Sequence, residues 1–164
     1  MDSEKEQLRF KETNRIIKEE LSNVENLLEI GCGEGHQSKF LNQVCQNLYG
    51  FDVSKTAIDR AQTRCPDGNL FVADIDSYQL DRAKFDLVVA CEILYYVKDI
   101  PRVLKKMNEL GRNCMVTFYQ SGTCDLDKYF DGNKYIKSKV IQSGQVSWKV
   151  VWWDNTEIEG LFLS

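Results

Sequence analysis

Between Glu29 and Gly35 the chain reads E-I-G-C-G-E-G, three glycines at alternating positions directly behind the apolar run Leu27–Ile30. A tight turn alone uses one glycine or two. Three alternating ones open main-chain amides to a ligand without interference from Cβ atoms, and the helix start just beyond adds a partial positive charge. Two carboxylates follow at later strand ends, Asp52 in "LYGFDVS" and Asp74 in "NLFVADI". At the first position an acid can accept two hydrogen bonds from a ribose diol. At the second it can accept one from an adenine amino group. Loop and acids together describe a nucleoside site.

The spacing narrows the nucleoside. Dinucleotide folds favour G-x-G-x-x-G, tuned to a pyrophosphate, whereas here the loop is G-x-G-x-G with Glu29 two residues ahead of Gly31. An acid so close repels a pyrophosphate and suits a cationic or ammonium-bearing ligand. S-adenosylmethionine, with its ribose, adenine, sulfonium and ammonium, fits these charges better. His36 stands in the first helical turn beyond the loop, where a cation is disfavoured; neutral filler is the preferred reading over a base.

The elements that must carry these residues alternate β and α. Residues up to about Ser22 form an amphipathic helix with Phe10, Ile17 and Leu21 at helical spacing. Leu27–Ile30 is a first strand, followed by a helix carrying Phe40, Leu41, Val44 and Leu48 on its apolar face. A strand ends at Asp52, and Ser54 caps a helix that turns Ala57, Ile58 and Ala61 inward. Pro66 and Gly68 close that unit, and a third strand ends at Asp74. "KFDLVVACEILYY" holds the most continuous apolar run, as a central strand does. Pro101 suits the first turn of the next helix and Gly111 its end. "NCMVTFY" is the fifth strand. The last thirty or so residues then give three β-rich runs split by "SGQ" and "DNTE", which read as antiparallel hairpins. The expected fold is α/β: an open, mostly parallel Rossmann-like sheet with helices on both faces and an antiparallel C-terminal edge. Such sheets bind ligands beyond the carboxyl ends of their strands.

Composition sets outer bounds. The 164 residues, with no repeat or linker, read as a single domain over 1–164. A net charge of −4 argues against nucleic acid as a partner, and Lys134, Lys137 and Lys139 read as a solvated face. No apolar run is long enough for a membrane span. The start, "MDSEKEQLRFKE", lacks a signal-peptide centre, so a cytoplasmic location is the default expectation. The six cysteines are scattered without a CxxC pair and only one histidine is present, so reduced thiols and no metal site are expected. Nothing in the sequence sets an oligomeric state.

"LLEIGCGEG", "GFDVS", "VADI" and "FDLVVACEILYY", in that order and spacing, resemble motif I and the following strand-end motifs of class I S-adenosylmethionine-dependent methyltransferases. The resemblance runs from about Leu27 to Tyr119. It implies S-adenosylmethionine as the cofactor, Asp52 at the ribose, and Val53, Asp74 and Ile75 around the adenine. It also implies that Glu29, Gly31, Cys32, Gly33 and Gly35, with Cys91, flank the methionine portion. "FDLVVACEILYYVKD" is similar to nodulation-protein-S-like methyltransferases, which methylate an amino-sugar nitrogen on a chito-oligosaccharide. A small-molecule acceptor follows as the expectation. Glu92 is then the first choice to orient or deprotonate the acceptor, and Tyr95 and Tyr96 could wall the sulfonium or stack on a sugar face. The bland readings are a carboxylate at a helix start for Glu92 and simple packing for the tyrosines. A small-RNA 2′-O-methyltransferase of the metal-dependent kind needs several histidines that are absent. A metal-free RNA or protein methyltransferase stays open, as does an inactive accessory subunit that only binds the donor. "QSGTCDLDKYFDGN" is short for a full helix, and few residues precede the first strand, so the acceptor pocket is expected to be open or completed by another chain.

Overall fold

The computed structural model describes residues 3–123 and 125–157. They fall in two compact units, Met1–Gln79 and Leu80–Ser164.

The first unit opens with helix α1 (Glu4–Glu20), capped by the Ser3 side chain, which accepts from the Glu6 amide. Its buried face mixes Phe10, Ile16 and Ile17 with Arg9, Thr13 and Asn14. Strand β1 (Asn26–Ile30) runs parallel to β2 (Asn47–Asp52), with Leu27 opposite Leu48 and Ile30 opposite Phe51. Strand β3 (Asn69–Val72) adds to β2 in parallel, giving the order β3-β2-β1. Between the strands come the short helix α2 (Ser38–Leu41) and helix α3 (Lys55–Arg64). Ser54 caps α3 through its hydroxyl, as expected, and Ile58 and Ala61 are buried. Leu27, Leu28, Leu41 and Leu48 are wholly enclosed, each contributing about 1.5–3 kcal/mol of apolar burial.

The second unit holds β4 (Phe85–Cys91), helix α4 (Ile100–Leu110) and β5 (Gly111–Tyr119), with β4 and β5 parallel. Strands β6 (Lys137–Ser143) and β7 (Val146–Asp154) form a hairpin turning at Gly144, and β7 runs antiparallel to β5. The order here is β4-β5-β7-β6. Leu87 to Ala90 are fully buried, which accounts for the unbroken apolar run. No helix among the described residues is long and apolar enough to cross a membrane.

Several sequence expectations shift in detail. The helix after the glycine loop is only four residues long: Val44 lies beyond it and Leu48 belongs to β2. Strand β3 stops at Val72, and Asp74 sits in the turn that follows, its carboxylate accepting from the Asp76 amide at 2.7 Å. Gly111 does end α4, but with φ −127 it opens β5 instead of forming a left-handed cap. Its real constraint is space, since a Cβ there would lie 2.6 Å from Val88 Cγ2. Among the described residues between β5 and β6 the helical structure is a short 3-10 turn, Asp127–Tyr129. The third C-terminal β-rich run lies largely outside the described residues, as does Cys124. Cys32, Cys45, Cys65 and Cys114 are outside any disulfide.

Candidate active site

The three glycines of the loop have a common backbone reason. Gly31, Gly33 and Gly35 sit at φ 68, 53 and 79, a region that side chains bearing a Cβ disfavour. Gly35 also faces a steric limit, because a Cβ there would come within 2.9 Å of Ala61 Cα on α3. Above Gly33 nothing stands within 4 Å of such an atom, so that surface is open. The loop is pinned where it leaves β1: the Gly31 and Cys32 amides both donate to the Phe51 carbonyl, at 2.9 and 3.0 Å.

Asp52 ends β2 and reaches back to this loop. One carboxylate oxygen accepts from the Gly33 amide at 3.0 Å and the other from the Ser54 amide at 2.9 Å. Both bonds fix the carboxylate plane without closing it, since each oxygen can accept a second donor. Beside it Val53 is 68% exposed, and Val72, register partner of Asp52, is 50% exposed. Exposed apolar side chains at two adjacent strand ends, next to a fixed carboxylate, suit one face of a base and its sugar. Asp74 is exposed and Ile75 half-buried in the turn after β3.

Glu29 lies beneath the loop, only 3% exposed. The Ser38 hydroxyl donates to its Oε2 at 2.5 Å. Burial pushes its carboxyl up to about 7, with the Ser38 bond and the Arg9 charge pulling down and the Asp52 charge adding to the rise. Arg9, also buried, donates to Gln37 Oε1 at 2.7 Å and to Glu6 Oε2 at 2.6 Å. Glu29 is thus a support under the loop, held by a polar cluster that α1 and α2 bring to it. The Cys32 thiol is pushed up by burial and by the Glu29 and Asp52 charges, which removes it as a nucleophile.

Glu34 braces the loop from outside. Its carboxylate pairs with Arg60, its carbonyl accepts from Arg64, and His36 Nε2 stands 3.7 Å away. The Arg60 bond holds the Glu34 carboxyl below its usual range.

In the second unit Cys91 closes β4 in a buried position, and Glu92 follows with φ 58, left-handed for a residue with a long side chain. Its amide donates to the Thr117 carbonyl at 2.9 Å. Thr117 Oγ1 donates to Glu92 Oε1 at 3.0 Å, and the Tyr95 hydroxyl to Oε2 at 2.8 Å. Tyr95 in turn accepts from the Tyr119 amide. Glu92 is therefore a half-buried carboxylate gripped on both oxygens, not an exposed helix-start acid. Tyr95 and Tyr96 meet edge-to-face at 6.1 Å, and Tyr96 is 85% exposed.

Within the first unit the structure brings Glu29, Gly31, Cys32, Gly33, Gly35 and Asp52 together; within the second it brings Cys91, Glu92 and Tyr95 together. Sequence reading missed Arg9, Gln37 and Ser38 under the loop, and Thr117 beside Glu92. Arg9 carried a signal, the one charged residue on the buried face that carries Phe10, Ile16 and Ile17. Thr117 carried none beyond being a hydroxyl in an apolar strand.

The fold is that of the class I methyltransferases. A family profile described as "Methyltransferase domain" matches residues 28–113, and the chain belongs to that family. Among curated relatives, Nodulation protein S of Sinorhizobium fredii is 32% identical over 90 residues, covering 53% of this chain and 41% of that protein. Trans-aconitate 2-methyltransferase of Escherichia coli is 31% identical over 97 residues, covering 56% of this chain and 38% of that protein. The chain thus spans about two fifths of the length of these relatives. The solved N-methyltransferase NodS of Bradyrhizobium japonicum superposes with a TM-score of 0.70 at 22% identity, covering 94% of this chain and 98% of that one. The magnesium protoporphyrin IX methyltransferase of Synechocystis, with bound S-adenosylmethionine, superposes at 0.70 and 17% identity over 90% of this chain and 78% of that one.

Proposed function

We propose that the chain transfers a methyl group from S-adenosylmethionine to a small-molecule amine, in the class of amino-sugar nitrogens. The observation that carries the donor assignment is the Asp52 carboxylate, fixed by the Gly33 and Ser54 amides at the tip of β2 beside an open glycine surface. In this reading Asp52 takes the ribose diol, and Val53, Asp74 and Ile75 enclose the adenine. Gly31, Cys32, Gly33 and Gly35 flank the methionine portion, with Glu29 acting from below the loop. Residues 1–164 act as one methyltransferase domain, working in the cytoplasm.

When bound, the donor supplies a methyl carbon on a sulfonium that departs as a neutral thioether. The protein's share is alignment and the exclusion of water. The acceptor nitrogen needs a free lone pair, and Glu92 accepts a hydrogen bond or proton from it. The Tyr96 ring, exposed and edge-to-face with the Tyr95 ring that bonds that carboxylate, suits a cationic or sugar-bearing partner. A carboxylate acceptor, as the name of the trans-aconitate relative indicates for that protein, would meet repulsion from Glu92, so the nitrogen reading is preferred.

Calorimetric titration with S-adenosylmethionine tests the donor site. Asp52→Ala is expected to weaken binding by roughly 100-fold through loss of two charged hydrogen bonds. Unchanged affinity in that variant would remove the ribose assignment. Transfer of labelled methyl to a panel of amino sugars, simple amines, carboxylic acids and RNA tests the acceptor class. Labelling of the acids or RNA but not the amines would overturn it.

A further inference from the structure

We infer that Thr117 is a positioning residue for methyl transfer, acting with Tyr95 to hold the Glu92 carboxylate ready to accept from the acceptor nitrogen. This rests on the proposed role of Glu92. Three observations, all within the second unit, support it. Glu92 adopts φ 58, a conformation that costs free energy in a residue other than glycine and persists only where its surroundings impose it. Two bonds that support it come from one residue on the neighbouring strand: the Thr117 carbonyl takes the Glu92 amide and its hydroxyl bonds the Glu92 carboxylate. Thr117 is itself fully buried, so its hydroxyl keeps that orientation.

The chemistry of the grip is specific. Thr117 Oγ1 gives its proton to Oε1 and the Tyr95 hydroxyl gives its proton to Oε2. Two hydroxyl donors favour the ionised carboxylate and hold its plane. Tyr95 already donates to Glu92 and accepts from the Tyr119 amide. It therefore acts as a second positioning residue and not as a base. A valine at 117 would preserve the shape of the strand residue and lose only the hydroxyl, whereas serine would keep it.

The experiment pairs Thr117→Val with Thr117→Ser. The Glu92 side-chain carboxyl carbon is followed by NMR against pH in the donor-bound protein. Loss of a donor to the carboxylate is expected to raise its titration midpoint by about one pH unit in Thr117→Val, with Thr117→Ser restoring the parent value. Kinetically, Thr117→Val should lower kcat roughly tenfold on glucosamine with donor affinity unchanged, and in a Glu92→Gln background it should add less than about threefold. An unmoved midpoint in Thr117→Val, or full additivity with Glu92→Gln, would overturn the inference. If Glu92→Gln alone leaves kcat unchanged, the role proposed for Glu92 fails. If glucosamine is not methylated, the acceptor class fails, and the NMR titration still decides whether Thr117 holds the carboxylate.

Discussion

Glu29→Gln should flatten a pH dependence of stability that the parent protein carries. The carboxyl is 3% exposed and its midpoint rises from 4.5 to about 7, mainly through burial. In the unfolded chain it ionises at its ordinary value, so between about pH 4.5 and 7 the folded state retains a proton that the unfolded state has released. The stability linked to this group is therefore complete below the unfolded midpoint and is lost as pH rises through the folded one. A rise of that size corresponds to roughly 3 kcal/mol. The parent should lose about that much, relative to Glu29→Gln, between roughly pH 4.5 and pH 8.

The comparison is made as a difference because every other titrating group is common to both proteins. The new carboxamide brings an N–H that needs an acceptor under the loop, and this adds a constant offset that leaves the slope untouched. Urea unfolding at 25 °C, followed by far-UV circular dichroism, gives the free energies. Tryptophan fluorescence is the poorer reporter, since Trp148, Trp152 and Trp153 all belong to the second unit and Glu29 to the first. If the difference between the two proteins stays constant to within about 0.5 kcal/mol across that range, burial is not setting the ionisation of Glu29.

The loop glycines should separate by what stands behind them. Gly35→Ala combines a left-handed backbone with a Cβ 2.9 Å from Ala61 Cα, and should cost about 3 kcal/mol or more in chemical unfolding. Gly33→Ala meets nothing within 4 Å and should cost only about 1–2 kcal/mol, while weakening donor binding in calorimetry. Equal destabilisation by the two would contradict the contact with α3. Gly111→Ala carries no backbone strain but crowds Val88 Cγ2; a loss of about 1–3 kcal/mol is expected in the same assay.

How much of this was legible in the sequence depends on whether local patterning and tertiary contact agreed. At Asp52 they did: an apolar strand stops at the acid, Ser54 caps the next helix, and the acid then turns back to Gly33. At Leu48 they did not. Phe40, Leu41, Val44 and Leu48 keep helical spacing, yet the helix ends at Leu41 and Leu48 pairs with Leu27 in the sheet. An apolar residue is buried equally well from either element, so periodicity has no means of choosing. At Asp74 the acid itself makes the turn, accepting the Asp76 amide, and so shortens the strand that alternation would extend. The left-handed Glu92 and its grip by Thr117 depend on a strand twenty-five residues away, which no local pattern encodes.

The acids of this chain also show why residue type alone could not assign their roles. Glu29 is sealed under the loop with a hydroxyl for company, so its charge is expensive and it serves as support. Asp52 faces two main-chain amides at an accessible strand end, so it stays a fixed acceptor for a hydroxylated ligand. Glu34 is drawn outward by Arg60 and Arg64, which ties the loop to α3 and spends its charge on that restraint. Glu92 alone of the four is held by two side-chain hydroxyls on a strained backbone. Hydroxyl donors fix the plane of a carboxylate without displacing what arrives at it. A carboxylate oriented in this way is suited to receive a proton or an N–H from an incoming group, and that is the requirement an amine acceptor places on its enzyme.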